Sequence, residues 1–131
     1  MRVLVCGSRQ WSNRATIRSW LTKLKDFGYD TLVEGEAVGA DSIAREEGEA
    51  LGLTILSFPA NWAKFGRAAG YIRNSQMLLE GQPNLVIYFS LNLEASKGTK
   101  NMVEQATKAG VPVIDGNNLL LLDHTTCTLE E

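Results

Sequence analysis

The stretch Arg2-Val3-Leu4-Val5-Cys6-Gly7-Ser8-Arg9 decides the fold of this chain. Its apolar run is typical of a buried β-strand, and the abrupt stop at Gly7-Ser8-Arg9 predicts a tight loop at the rim of a sheet. Gly7 allows close approach of a ligand, Ser8 supplies a hydroxyl, and Arg9 supplies a planar fork of donors that suits phosphate or carboxylate. An ordinary strand-to-helix turn would use the same residues. The loops further along the chain favour the ligand-binding interpretation.

The rest of the chain alternates short apolar runs with segments of helical periodicity. The predicted strands are residues 2–6, 31–33, 53–58, 85–89 and 111–114, with a candidate edge strand at 118–122, and the predicted helices are residues 13–27, 40–51, 68–79 and 98–109. Such alternation predicts an α/β fold: a mostly parallel sheet of about five strands, covered by helices on both faces in three layers. The domain is expected over residues 1–123, and residues 124–131 form a polar C-terminal tail.

Composition narrows the class of protein. With 131 residues, of which 44% are hydrophobic, the chain suits one compact domain. It has no run of about 18 apolar residues and no basic-then-apolar leader, so we expect a cytoplasmic protein without a membrane span. The formal charge of −2 argues against nucleic acid as a partner, whereas an anionic small molecule needs only local positive charge. Cys6 and Cys127 are expected to be reduced thiols, and we expect no metal and no cofactor.

Ligands of parallel sheets bind beyond the carboxyl ends of the strands, and the loop after the second strand has an unusual composition there. Gly35 and Gly39 allow backbone amides to face an anion. Asp41 is either a ligand-binding residue or a first-turn acid that favours the helix dipole. Glu34 and Glu36 would repel phosphate, so they suit ribose hydroxyls, a base edge or proton transfer, unless they are simply solvated.

The next two loops carry further candidates. Trp62 either offers a face for stacking a base or plugs the end of the sheet. Arg73 and Asn74 form a predicted buried pair, which favours a functional role. Gly98-Thr99 at a helix start is typical of an anion site, in which backbone N–H groups, a hydroxyl and the helix dipole converge, and Thr99 is alternatively an N-cap.

The order Gly-Ser-Arg, Gly-x-Ala-x-Gly-Ala-Asp, Ala-x-Trp, Ala-Gly-x-x-Arg-Asn-x-x-Met and Gly-Thr-x-x-Met resembles the YspA-like branch of the SLOG superfamily. These are Rossmann-like domains related to the Lonely Guy phosphoribohydrolases and to DprA. The likeness runs from Met1 to about Ile114 and implies a Rossmann-like domain that binds nucleotides or nucleotide-derived molecules. The small stand-alone branch is frequent in phages and bacteria.

The resemblance implies a set of ligand-binding residues, to which Trp62 is added from its own chemistry. They are Gly7, Ser8, Arg9, Gly35, Gly39, Asp41, Arg73, Asn74, Gly98 and Thr99. Arg73 matches the arginine that Lonely Guy enzymes use to cleave the base from ribose 5′-monophosphate. Those enzymes have a catalytic Glu where this chain has Met102, and Glu36 replaces the second glycine of their usual Gly-Gly-Ala.

Three functions follow as hypotheses. The leading one is a sensor or sequestering protein for a nucleotide or an ADP-ribose-like molecule, with phosphate on Arg9 and Gly98-Thr99 and the base near Trp62. The alternative is an N-glycosidic hydrolase of nucleoside monophosphates, in which Arg73 acts with Glu36, Glu34 or Asp41. The third is a DNA-associated module similar to DprA, against which the acidic composition counts.

The helix after the third strand also predicts self-association. It carries more apolar side chains than can pack against one face of the sheet, namely Tyr71, Ile72, Met77, Leu78 and Leu79. We therefore expect a homodimer or a higher homo-oligomer.

Overall fold

The computed structural model describes residues 1–119. Its strands are β1 (Arg2–Gly7), β2 (Thr31–Glu34), β3 (Thr54–Ser57), β4 (Leu85–Phe89) and β5 (Val113–Asp115). Its helices are α1 (Arg14–Asp26), α2 (Ala40–Ala50), α3 (Trp62–Phe65), α4 (Ala69–Gly81) and α5 (Lys97–Lys108). Single 3-10 turns span Gly66–Ala68 and Leu93–Ala95.

The five strands form one sheet in the order β3-β2-β1-β4-β5, and every neighbouring pair is parallel. This confirms the predicted α/β, Rossmann-like architecture. From β1 the chain builds the sheet outwards through β2 and β3, and it then returns to add β4 and β5 on the other side. The strand order therefore switches between β1 and β4, where their carboxyl ends leave a crevice for a ligand.

The alternation of side chains along β1 divides the core into two layers. Val3 and Val5 pack with the apolar face of α1, which includes Trp20, and with α2. Leu4 and Cys6 point to the opposite face, where they pack with Met77 of α4 and Met102 of α5. Because β1 is the central strand and is buried on both faces of the sheet, its sequence is an uninterrupted apolar run.

The five predicted strands and the four predicted helices agree with the observed ones to within two residues at each end. The sequence offers Ser12 or Asn13 as the N-cap of α1. The N-cap is Asn13, whose side chain accepts a hydrogen bond from the Thr16 amide at 3.2 Å.

The sequence spacing predicts one side of α2 that contains Ile43, Ala44, Glu47, Ala50 and Leu51. This prediction was wrong at Ala50, which is exposed. Glu47 does belong to that face, and it lies buried because Arg14 and Arg18 pair with it at 2.9 and 2.5 Å.

Several boundaries differ from the prediction. The short helix α3 was missed, because four residues are too few to show a period. The start of α5 was also wrong: Ser96 is its N-cap, and Thr99 lies buried in its first turn, so Thr99 is not the cap. Residues 118–119 do not join the sheet, and the rest of the predicted 118–122 strand lies outside the described residues, as do the 124–131 tail and Cys127.

Candidate functional site

A cavity of about 500 Å³ lies at the carboxyl ends of β1 and β4, at the switch in strand order. Most of the predicted ligand-binding residues line it, and they are Gly7, Ser8, Arg9, Asp41, Trp62, Arg73, Asn74, Gly98 and Thr99. The strand order therefore brings four separate loops to one concave surface.

Two predicted glycines do not line this cavity and shape its walls instead. Gly39 has φ +78°, and a Cβ there would come within 2.4 Å of the Ser8 carbonyl oxygen. Gly35 lies directly under Arg73, whose Nη1 would be 2.3 Å from a Cβ at that position. Both glycines allow neighbouring loops to approach closely, and their role in ligand binding stays a prediction.

The cavity is cationic although the chain is acidic overall. Arg9, Arg67, Arg73 and Lys97 line it, and Asp41 supplies the single carboxylate among its lining residues. Sequence reasoning missed Arg67 and Lys97. Lys97 directly precedes the Gly98-Thr99 motif, so its position beside a helix start was an available signal.

A hydrogen-bonded network fixes Arg73. Its Nη1 donates to the Gly35 carbonyl oxygen at 2.5 Å, and its Nε donates to Asn74 Oδ1 at 3.1 Å. Asn74 is 3% exposed, and its Nδ2 donates to the Gly98 carbonyl oxygen at 3.0 Å and to Asn101 Oδ1 at 3.1 Å. Both N–H groups of Asn74 are thus engaged by the protein. Arg73 Nη2 has no hydrogen-bond partner among residues 1–119, so it can donate to a ligand.

Asp41 holds the loop after β2. Its Oδ2 accepts hydrogen bonds from the backbone N–H groups of Gly35 and Ala37 at 3.1 and 3.3 Å. Burial raises the pKa of Asp41 to about 7, and the guanidinium of Arg73 opposes this rise. The side chain also lines the cavity, so Asp41 both holds the loop and faces the site.

The two glutamates of this loop differ in position. Glu34 is completely buried, where it accepts hydrogen bonds from the Ser57 hydroxyl and, at 2.5 Å, from the backbone N–H of Glu36. The interpretation of Glu34 as solvated was therefore wrong. Glu36 lines a smaller cleft of about 350 Å³, beside the main cavity.

Trp62 stands at the rim of the main cavity with half of its surface exposed. The interpretation that it plugs the end of the sheet was wrong. The Arg9 guanidinium carbon lies 5.8 Å from the centre of its ring, within the range of a cation–π contact. The pair therefore places an aromatic face and a cation at the same edge of the cavity.

The start of α5 closes the cavity on the β4 side. Ser96, Lys97, Gly98 and Thr99 all belong to its lining. The first backbone N–H groups of a helix have no intrahelical acceptor and carry a partial positive charge. In this position, they reinforce the positive field of the four cationic side chains.

By the resemblance in sequence, Met102 corresponds to the position at which Lonely Guy enzymes have a catalytic Glu. It is fully buried in the core layer between α4, α5 and the sheet, and the next acid, Glu104, is exposed. Among residues 1–119, no group of three His, Cys, Asp or Glu side chains could hold a metal ion. In the same part of the chain, no helix is long and apolar enough to cross a membrane.

The fold and the cavity define a Rossmann-like α/β protein with a cationic site at the switch in strand order. The sequence profile of the YspA, cpYpsA-related SLOG family matches residues 1–65. The chain is 36% identical over 123 residues to the Gene 61 protein of Mycobacterium phage D29, covering 87% of this chain and 94% of that relative. The chain belongs to the YspA, cpYpsA-related SLOG family, as the sequence motifs predicted. No solved structure matches it.

Proposed function

We propose that this protein binds a nucleotide or a nucleotide-derived small molecule, as a sensor or a sequestering protein. The observation that supports it is the concentration of four cationic side chains and a helix start around one cavity, in a chain whose formal charge is −2. A local positive field of this kind attracts an anion and disfavours a cation. The cavity volume of about 500 Å³ lies in the usual range for small-molecule sites.

In this proposal, the phosphate lies between Arg9, Arg73 and the first turn of α5. Within residues 1–119, Arg73 Nη2 has no acceptor, whereas one N–H of Nη1 is held by Gly35 and the Nε N–H is held by Asn74. A guanidinium fixed in this way loses little side-chain entropy when the phosphate binds, which favours affinity. The base stacks on Trp62 at the rim, where an exposed aromatic face is available. The phage relative is consistent with a role in phage-infected bacteria.

One observation favours a second function, N-glycosidic hydrolysis of nucleoside monophosphates. Asp41 brings a carboxyl group to the lining of the cavity that also holds Arg73. Such a carboxylate could stabilise positive charge developing on the ribose. Against this, Met102 leaves the usual acid position apolar and buried, and the pKa of Asp41 is raised to about 7, which disfavours the anion needed for that role.

A single experiment separates these two functions. AMP is titrated into the protein by calorimetry, and the recovered mixture is then analysed by chromatography for free adenine. We expect saturable binding and intact AMP. Release of adenine that disappears in Arg73→Ala would establish the hydrolase instead. Absence of binding by AMP, ADP and ADP-ribose alike would contradict the proposed function.

A further inference from the structure

A second cleft lies next to the main cavity and shares part of its lining. Its volume is about 350 Å³, and the loops that follow β2 and β3 form its walls. Arg9, Trp62 and Arg73 belong to the lining of both spaces. One ligand can therefore have a part on each side of the Arg9–Trp62 pair, with its anionic centre near the two arginines.

Glu36 is held in this cleft by a backbone conformation that is costly for a non-glycine residue. Its φ is +56°, in the left-handed region. The buried carboxylate of Glu34 accepts its backbone N–H at 2.5 Å, and Asp41 accepts the N–H groups on either side of it. Two buried carboxylates thus fix the backbone at this one residue. Strain that the surroundings maintain in this way is typical of functional loops.

The side chain of Glu36 is available to a ligand. Its charged neighbour within residues 1–119 is Arg45, whose Nη1 lies 3.9 Å from Oε1, too far for a hydrogen bond. The Glu36 side chain is 36% exposed and belongs to the lining of the cleft. It repels phosphate, but its two oxygens can accept hydrogen bonds from adjacent hydroxyl groups.

We propose that the second cleft binds a sugar ring that is linked to the ligand through its phosphate groups, and that Glu36 recognises the hydroxyls of this ring. The inference rests on the proposed function, because the phosphates held by Arg9 and Arg73 connect the two parts. It narrows the ligand to nucleoside diphosphates that carry a second sugar, in preference to nucleotides that end in a phosphate. Glu36 is then a specificity-determining residue.

The test compares ADP with ADP-ribose, which differ by the second sugar. Calorimetric titrations are run with the wild-type protein and with Glu36→Gly, because glycine tolerates φ +56° and so removes the carboxylate without disturbing the loop. Glu49→Gln is the matched control, since Glu49 is an exposed glutamate on α2 outside both linings. A second variant, Ala60→Phe, fills the second cleft with a phenylalanine side chain. Ala60 lines this cleft and does not line the main cavity.

We expect the wild-type protein and Glu49→Gln to bind ADP-ribose about tenfold more tightly than ADP, on the scale of hydrogen bonds to a charged group. Glu36→Gly and Ala60→Phe should reduce this ratio to about one. Equal affinity of the wild-type protein for ADP and ADP-ribose would overturn the inference while the proposed function stands. If Glu36→Gly and Ala60→Phe still bind ADP-ribose more tightly than ADP, the inference is also overturned. Failure of every nucleotide to bind would instead reject the proposed function.

Discussion

At the residue scale, the loop after β2 is held by two buried acidic side chains. Glu34 at the end of β2 and Asp41 at the start of α2 are buried on either side of one loop. Glu34 accepts the backbone N–H of Glu36, and Asp41 accepts those of Gly35 and Ala37. The proximity of Glu34 adds to the effect of burial in raising the pKa of Asp41, and Arg73 opposes both. The loop is thus held in part by Asp41, a group whose ionisation is disfavoured by burial.

The pH dependence of stability follows from Asp41. Its pKa is about 7 in the folded protein against an ordinary value of 3.8, so the folded state binds this proton more tightly. The contribution of Asp41 to the free energy of unfolding is therefore greatest below about pH 4 and falls as the pH rises through about 7. In Asp41→Asn, the amide oxygen can still accept the two N–H groups, and there is no proton to lose.

Urea unfolding of both proteins at about pH 5 and about pH 8 measures this effect, because the difference between them cancels the other titrating groups. We expect the wild-type protein to lose stability relative to Asp41→Asn as the pH rises. If the free energies of unfolding of the two proteins differ by the same amount at both pH values, Asp41 does not titrate in this range.

At the element scale, one asparagine joins three parts of the sheet rim. Asn74 on α4 holds Arg73, which reaches the loop after β2, and it also holds Gly98 and Asn101 on α5. The predicted role of Asn74 in ligand binding stays a prediction, but its two N–H groups are used to position the site. The resulting rigidity keeps the Arg73 guanidinium at a constant distance from the start of α5.

The sequence predicted the elements better than the contacts among them. Strand β4 matches its prediction residue for residue, and the face of α1 that contains Ile17 and Trp20 is buried as its spacing indicates. The burial of Glu34 and the place of Arg67 in the cavity could not be predicted. Both depend on which loops the strand order 3-2-1-4-5 brings together, and a local pattern contains no such information.

At the scale of the whole molecule, an apolar surface remains on α4. Met77 is buried and Leu78 packs against the core, so the expectation that they lie on an oligomer face was wrong. Tyr71, Ile72 and Leu79 are exposed, and Leu79 shows 76% of its surface. Ile72 and Leu79 are seven residues apart, so they share one face of the helix. We propose that this face pairs two copies of the chain.

Light scattering tests the dimer. We expect a mass near twice the 14.4 kDa of one chain, and a shift towards the mass of one chain in Leu79→Glu, because a buried charge disfavours the contact. Leu91→Glu is the matched control, since Leu91 is an exposed leucine on the loop after β4. A wild-type mass of 14.4 kDa, or equal dissociation in both variants, would contradict this interface.

We propose above that the cationic cavity binds the phosphate of a nucleotide, and Arg9 is the most direct place to test this. AMP is titrated by calorimetry into the wild-type protein, Arg9→Ala and Lys108→Ala, whose exposed lysine lies at the opposite end of α5. A charge-assisted hydrogen bond is lost in Arg9→Ala, so AMP should bind at least about 1.5 kcal/mol more weakly, roughly tenfold, while Lys108→Ala should match the wild-type protein. Undiminished affinity for AMP in Arg9→Ala would contradict the account.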